Sequence, residues 1–225
     1  MMNEFEKWVI KGQGISSLSL HNYQSIFNKE SIPQPLVVEE GPLNATCVDV
    51  FSRLMASRVI FLGTPVSEEA ANIITAQLLF LNTISHDPIQ MYINTPGGSV
   101  QDGLQIYDTM QMIKTPVHTI VTGMAASMGS ILLAGGEKGY RGALPNASVM
   151  IHQVLGGCYG QSADVDIAAK EIKRLQNTLY DILADCTGKS FKQIAKDADR
   201  DHWMSADQAC EYGIVDKVFN GKGIL

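Results

Sequence analysis

Twice in this chain a short β-branched run breaks into a turn of small residues and resumes at once as a helix. That repeated pattern limits what the chain can become. The first run is Ile89–Ile93, followed by Asn94-Thr95-Pro96-Gly97-Gly98 and a helix opened by Ser99, with Leu104, Tyr107 and Met110 at core spacing. The second is Val117–Thr122, followed by Gly123-Met124-Ala125-Ala126-Ser127-Met128-Gly129 and a helix through Ile131 to Leu133. A helix leaves its first amides unbonded and its N-terminus partly positive, so two such turns aim donors and positive potential at the same side of a sheet.

The rest of the pattern extends this to an α/β domain. Arg58–Leu62 and Ser148–His152 read as further strands, and Ser67 is placed to cap a helix to about Leu81 with Ile74, Leu78 and Leu81 on one face. Residues 1–35 are polar, aperiodic and end in Ile32-Pro33-Gln34-Pro35, which reads as an extension ahead of a main domain over 36–225. The closing Ser205-Ala206-Asp207-Gln208 is a capping-box pattern before a short helix ending at Gly213, with Asp201 in the loop ahead of it.

With 225 residues, 45% hydrophobic and 18% charged, the chain can bury one sizeable core. A net charge of -6 leaves no basic stripe to neutralise phosphates, so neither nucleic acid nor a membrane surface is an expected partner. The four cysteines, Cys47, Cys158, Cys186 and Cys210, lack any Cys-x-x-Cys spacing and suggest neither a metal site nor a disulfide framework. The opening Met1–Lys7 has no basic stretch leading into an apolar run, and no segment is long and apolar enough to span a bilayer. A reduced, cytoplasmic setting is the expectation.

Gly156-Gly157-Cys158-Tyr159-Gly160 is too glycine-rich for a helix, after which Ser162 is placed to cap a long one ending near Gly188. Its apolar positions, Ala168, Ile172, Leu175, Leu179 and Ile182, form one narrow stripe. At 1.5 Å per residue it reaches on the order of 35 Å, long for a domain of this size. Such a helix either projects and packs on a partner or lies along its own core, and the pattern favours the first only slightly.

A serine at a strand-to-helix turn among Ala125, Ala126 and Gly129 is a good nucleophile candidate, since small neighbours admit substrate and the helix terminus stabilises an anion. The plain alternative is an N-cap. A phosphate cradle is disfavoured because no Lys-Ser or Lys-Thr follows the glycines and no Gly-x-Gly-x-x-Gly opens either helix. Of five histidines, His21 falls in the extension and His86 in a polar turn, while His118 and His202 stay open by position. His152, at the end of its strand, can reach the same end of the sheet as Ser127, although a structural histidine would look the same.

Several motifs resemble one family closely, the Clp protease proteolytic subunits: YINTPGGSV at Tyr92–Val100, YDTMQ at Tyr107–Gln111, GMAASMGS at Gly123–Ser130, ALPNASVMIHQ at Ala143–Gln153 and DRDHWMSADQACEYGIVD at Asp199–Asp216. The likeness runs from about Pro35 to Val218. It implies an ATP-dependent Clp serine endopeptidase with Ser127 as nucleophile, His152 as base and Asp201 as the acid that orients the imidazole. It also implies an oxyanion hole from the backbone amides of Gly98 and Met128. Substrate would lie as an added strand along Gly97, Ser99 and Val100 on one side and Leu155 and Gly156 on the other.

The same resemblance implies a crotonase-like fold of repeated ββα units, with residues 155–188 as a projecting strand-and-helix handle joining two stacked heptameric rings. The implied partners are copies of the chain itself, an AAA+ unfoldase of the ClpX, ClpA or ClpC type, and unfolded proteins. No cofactor is expected in this subunit, ATP being used by the unfoldase. Three departures stand out: Thr95 where serine is usual, Val154 where proline commonly follows His-Gln, and Gln90 at a docking-pocket position that is often aromatic.

Overall fold

The computed structural model describes residues 36–40 and 45–220. The extension expected over 1–35, His21 included, lies outside them, as does the side chain of Cys47. The chain divides into two compact units, Met1–Arg53 and Leu54–Leu225.

In the first unit, β1 (Leu36–Glu40) and β2 (Ala45–Asp49) form an antiparallel hairpin with Leu36 opposite Asp49 and Glu40 opposite Ala45. The sequence pattern did not announce it. Helix α1 (Val50–Ala56) follows, its first turn held by the Ser52 amide donating to Asp49 Oδ1 at 2.9 Å.

The second unit is a layered β/α body in which β3 (Val59–Leu62), β4 (Ile89–Thr95) and β5 (Val117–Ala126) run parallel. Helix α2 (Glu68–Ile84) follows β3, α3 (Val100–Met112) follows β4, and α4 (Met128–Ala134) follows β5. Burial alternates along β4, with Ile89, Met91, Ile93 and Thr95 buried, so one face of that strand is the core face. Beyond them lie β6 (Gly142–Ala143), β7 (Ser148–Ile151), α5 (Ser162–Thr187), α6 (Phe191–Asp197), β8 (His202–Ser205), α7 (Ala206–Tyr212) and β9 (Lys217–Val218).

Strand β5 outruns the six residues expected for it, and its length explains the topology. Ile120 and Val121 pair with β6, which passes to β9, whereas Met124–Ala126 pair with β7, which passes to antiparallel β8. One strand thus serves two sheet directions, and Ser127 sits where it ends.

The helices show why their residues fit. Ser67 Oγ accepts from the Ala70 amide, and Ala71, Ile74, Leu78 and Leu81 of α2 face the core. The helix runs a turn past the expected end because the Arg58 guanidinium binds the carbonyls of Leu81, Ser85 and Asp87 there. On α3 the buried face is Gly103, Ile106, Thr109 and Met110, and Leu104 and Tyr107 of the expected stripe pack against the core while partly buried. Gly103 sets this orientation, since a methyl group on it would lie within 2.8 Å of three side-chain atoms of Met128.

Helix α5 is capped at Gln161, without a side-chain bond, and not at Ser162, which is its first helical residue. No residue of the helix before Leu175 is buried, while Leu175, Leu179, Tyr180 and Leu183 are, the last three within the core of the body. The C-terminal half therefore lies along its own core, while the N-terminal half buries no residue in this chain. The stretch ahead of it, 152–160, carries no strand pairing among the described residues, so the strand half of the expected handle is not a strand here. A strand is defined by its neighbour, and this segment has none among the described residues.

Arg141 ties the far edge together. It is 3% exposed and donates to both carboxylate oxygens of Asp216 and to the carbonyls of Ala134 and Cys186, which joins the ends of α4 and α5 to the β6–β9 pair.

Candidate active site

Ser127 follows the last residue of β5 and precedes the first of α4, with φ 54° and ψ -121°. Its amide donates to the Met150 carbonyl at 2.9 Å, which bolts the turn to β7. The side chain makes no cap bond, so the plain N-cap role is not the one it plays. Instead Ser127 Oγ lies 2.8 Å from His152 Nε2.

His152 arrives by pairing. The register Ala126 to Met150 aligns the end of β5 with β7, and His152 is the residue after β7. Across β7, Ile151 pairs with His202, which brings Asp201 opposite His152, with Oδ1 3.2 Å from Nδ1. With its proton on Nδ1, the ring donates to Asp201 and accepts from the serine hydroxyl. The His152 side chain is 14% exposed and that of Asp201 63%, so the imidazole is sheltered while the carboxylate meets water.

The Gly97-Gly98 turn lies directly against this serine. Gly97 and Gly98 have φ of 90° and 152°, a region that side chains avoid. The Val66 amide donates to the Gly97 carbonyl, and the Ser99 amide donates to the Val66 carbonyl, both at 2.9 Å. Among the described residues no backbone carbonyl takes the Gly98 amide between them. Met128 opens α4, where a helix has no acceptor of its own to offer. Thr95 braces the turn from below: its hydroxyl donates to the Thr64 carbonyl at 2.7 Å and accepts from the Gly97 amide at 3.1 Å. The exchange of serine for threonine keeps that hydroxyl and buries its methyl group.

A cavity of about 250 Å³ opens beside the serine, with Gly98, Val100, Ile131, Met150, Leu155 and Leu179 among its lining. Of the expected substrate contacts, Val100 and Leu155 line it, as does Gly98 of the expected oxyanion hole. Ser99 uses its hydroxyl to cap α3 at the Asp102 amide, Gly97 props the turn, and Gly156 packs toward Ile172 of α5. A cavity lined mostly by apolar side chains, with Gly98 in its wall, suits an extended peptide better than a compact metabolite.

The other candidates lie elsewhere. His86 Nδ1 is 3.4 Å from the Thr115 hydroxyl, and His118 stacks on Tyr140 at 4.2 Å, where burial pushes its pKa down. His202 points to the Tyr212 ring. Of the acids that precede Asp201, Asp197 holds Gln193 and Tyr212, and Asp199 offers its carbonyl to Gln153. Cys158, Cys186 and Cys210 are free thiols, no group of metal-ligating side chains occurs among the described residues, and no described helix is long and apolar enough to cross a membrane. Sequence reasoning did not find Gln153 or Ser130, whose hydroxyl donates to the Ser127 carbonyl at 2.7 Å. Neither residue type carries a signal of its own.

The Clp protease family profile matches residues 42–222 of this chain. The chain belongs to the Clp protease family. An ATP-dependent Clp protease proteolytic subunit of Porphyromonas gingivalis is 51% identical over 220 residues, covering 96% of this chain and 97% of that one. A protein of the same name from Bacteroides fragilis is 50% identical over 220 residues, 96% of this chain and 98% of its own length. The ATP-dependent Clp protease proteolytic subunit 1 of Salinibacter ruber is 51% identical over 187 residues, 83% and 80% of the two chains. Clp membership makes this chain a serine peptidase and accounts for the bent, branching sheet. It also sets aside the acyl-CoA enzymes that share the crotonase-like fold.

Proposed function

We propose that Ser127, His152 and Asp201 are the catalytic triad of an ATP-dependent Clp endopeptidase that cuts unfolded proteins. The observation that carries this reading is the continuous chain of bonds from Ser127 Oγ through both ring nitrogens of His152 to Asp201, at 2.8 and 3.2 Å. Ser127 attacks the scissile carbonyl while its proton passes to His152 Nε2, and the charge on the former carbonyl oxygen is met by the amides of Gly98 and Met128. The proton on Nε2 then leaves with the amine half of the substrate, giving an acyl-enzyme. Water returns a proton to the imidazole as it attacks the ester, and Ser127 is released with its hydroxyl restored.

The relatives' names, which describe the proteolytic subunit of an ATP-dependent protease, support an ATPase partner, here an AAA+ unfoldase of the ClpX, ClpA or ClpC type. The finer reading follows the family resemblance: two stacked heptameric rings in the cytoplasm, joined through 155–188, with no cofactor held by this subunit. A projecting α5 half with Val165 and Ile167 exposed is consistent with such a junction.

A fluorophosphonate probe tests the chemistry. It should label Ser127 in the wild-type protein, and Ser127→Ala should lose peptide turnover by about 10⁶-fold without loss of fold. His152→Ala should cost about as much, and Asp201→Asn the same or less. Labelling at any other residue, or turnover by Ser127→Ala within about tenfold of wild type, would discard the triad, and a wild-type protein with neither labelling nor turnover would leave a ring subunit without catalysis as the alternative.

A further inference from the structure

Apart from the contact of Asp201 with His152, no side chain of the loop that presents Asp201 makes a hydrogen bond among the described residues. Asp199, Arg200 and Asp201 are all exposed, and Asp201 has 63% of its side chain in water. The loop is fixed at its ends: Ala198 is fully buried and its amide closes α6 on the Ile194 carbonyl at 2.9 Å, while His202 is paired to Ile151 in the sheet. Between these points one side-chain bond reaches the loop backbone among the described residues. Gln153 Nε2 donates to the Asp199 carbonyl at 2.9 Å.

The position of that bond gives it a role. Gln153 is the residue after the base, and Asp199 stands two before the acid, so the bond spans the two segments whose separation sets the contact between His152 and Asp201. That contact, at 3.2 Å, is already long beside the 2.7–2.9 Å usual for a charge-assisted bond, which leaves little slack before it opens. Only the amide NH₂ of Gln153 can face a carbonyl, so an acceptor or an apolar group of the same length cannot replace it. We propose that Gln153 is a positioning residue, whose bond to the Asp199 carbonyl holds the acid loop so that Asp201 meets the imidazole. The inference rests on the triad reading above.

The experiment is a double-mutant cycle on peptide cleavage, with thermal unfolding as the check on fold. Gln153→Met removes the donor at nearly constant length and should lower kcat on the order of 10- to 100-fold with KM within about twofold, because orientation and not substrate binding is lost. Gln153→Glu keeps size and polarity while removing the donor, and should fall by the same factor, which covers the case in which the methionine variant folds poorly. In an Asp201→Asn background, Gln153→Met should cost less than about twofold more, since nothing remains for it to align. A wild-type kcat in Gln153→Glu would overturn the proposal. So would a rise in KM alone, or the same fold-loss from Gln153→Met with and without Asp201. Failure of Ser127 to take the fluorophosphonate probe in wild type would reject the triad itself, a result separate from all three.

Discussion

Gly97 and Ser127, thirty positions apart in the chain, stand so close that no side chain fits between them. A methyl group on Gly97 would lie 2.7 Å from Ser127 Cβ and 2.5 Å from the Ala126 carbonyl oxygen. The two turns that open α3 and α4 are therefore one structure, and the first glycine is the condition for it. Gly97→Ala should cost about 1–3 kcal/mol through its positive φ and, by displacing Ser127, lower kcat at least on the order of 100-fold. Gly139 supplies the control, since it has φ 92° with nothing within 4 Å of an added methyl. Gly139→Ala should lose stability and keep activity. Equal activities for the two variants in a peptide-cleavage assay would show that the contact with Ser127 does not matter.

Ser127 itself holds φ 54°, a conformation unfavourable for any residue with a Cβ. Its hydroxyl makes no cap bond that would offset the strain. Ser127→Gly and Ser127→Ala should both be inactive, and the glycine variant should be the more stable by about 1 kcal/mol, the strain released outweighing the added chain entropy. Chemical denaturation of the pair decides it. A glycine variant less stable than the alanine one would mean that the turn stores no strain.

How far the site was legible in the sequence depended on what kind of signal each part carries. Both strand-turn-helix units announce themselves locally, because small residues, a capping serine and a helical period lie within a dozen positions of one another. The Ser127, His152 and Asp201 constellation is non-local. Residue reasoning reached His152 only as one of two even options, and the choice came from family motifs. What places Asp201 is the pairing of Ile151 with His202, yet β8 read as loop because His-Trp-Met-Ser has no alternation to mark it. The two-residue strands β6 and β9 are too short for any period, and the burial of Gly103 on α3 follows from its meeting Met128, a contact between different elements.

Arg141 and Asp216 give the fold a pH dependence that is independent of catalysis. Burial pushes the Asp216 carboxyl up, but bonds from the Arg141 side chain and from the amides of Arg141 and Gly139 outweigh it, so the pKa falls below its ordinary 3.8. A depressed carboxyl stabilises the fold above that ordinary value, and the contribution is lost as pH falls through the folded-state value. Asp216→Asn should cost about 3–5 kcal/mol at neutral pH, because Arg141, 4% exposed in its side chain, would be left without its counter-charge. The gap between variant and wild type should narrow below about pH 4 in denaturant titrations. A constant gap from neutral pH down to about pH 3 would assign the loss to packing instead.

Helix α5 separates two kinds of apolar position that the sequence stripe ran together. Leu179 is 8% exposed against the body of its own chain, whereas Ile167, three turns earlier, is 66% exposed. If two rings meet through this helix, Ile167 is the residue whose burial awaits the partner, contributing roughly 2 kcal/mol per copy when covered. A glutamate there would need desolvation at every copy of the junction, while the subunit's own core stays untouched. Ile167→Glu should therefore split a tetradecamer into folded heptamers, read as a halved mass in analytical ultracentrifugation with an unchanged melting temperature for the subunit. Leu179→Glu should do the opposite, lowering the melting temperature by burying a charge in the subunit itself. A full-mass tetradecamer formed by a well-folded Ile167→Glu protein would place the ring junction elsewhere on the chain.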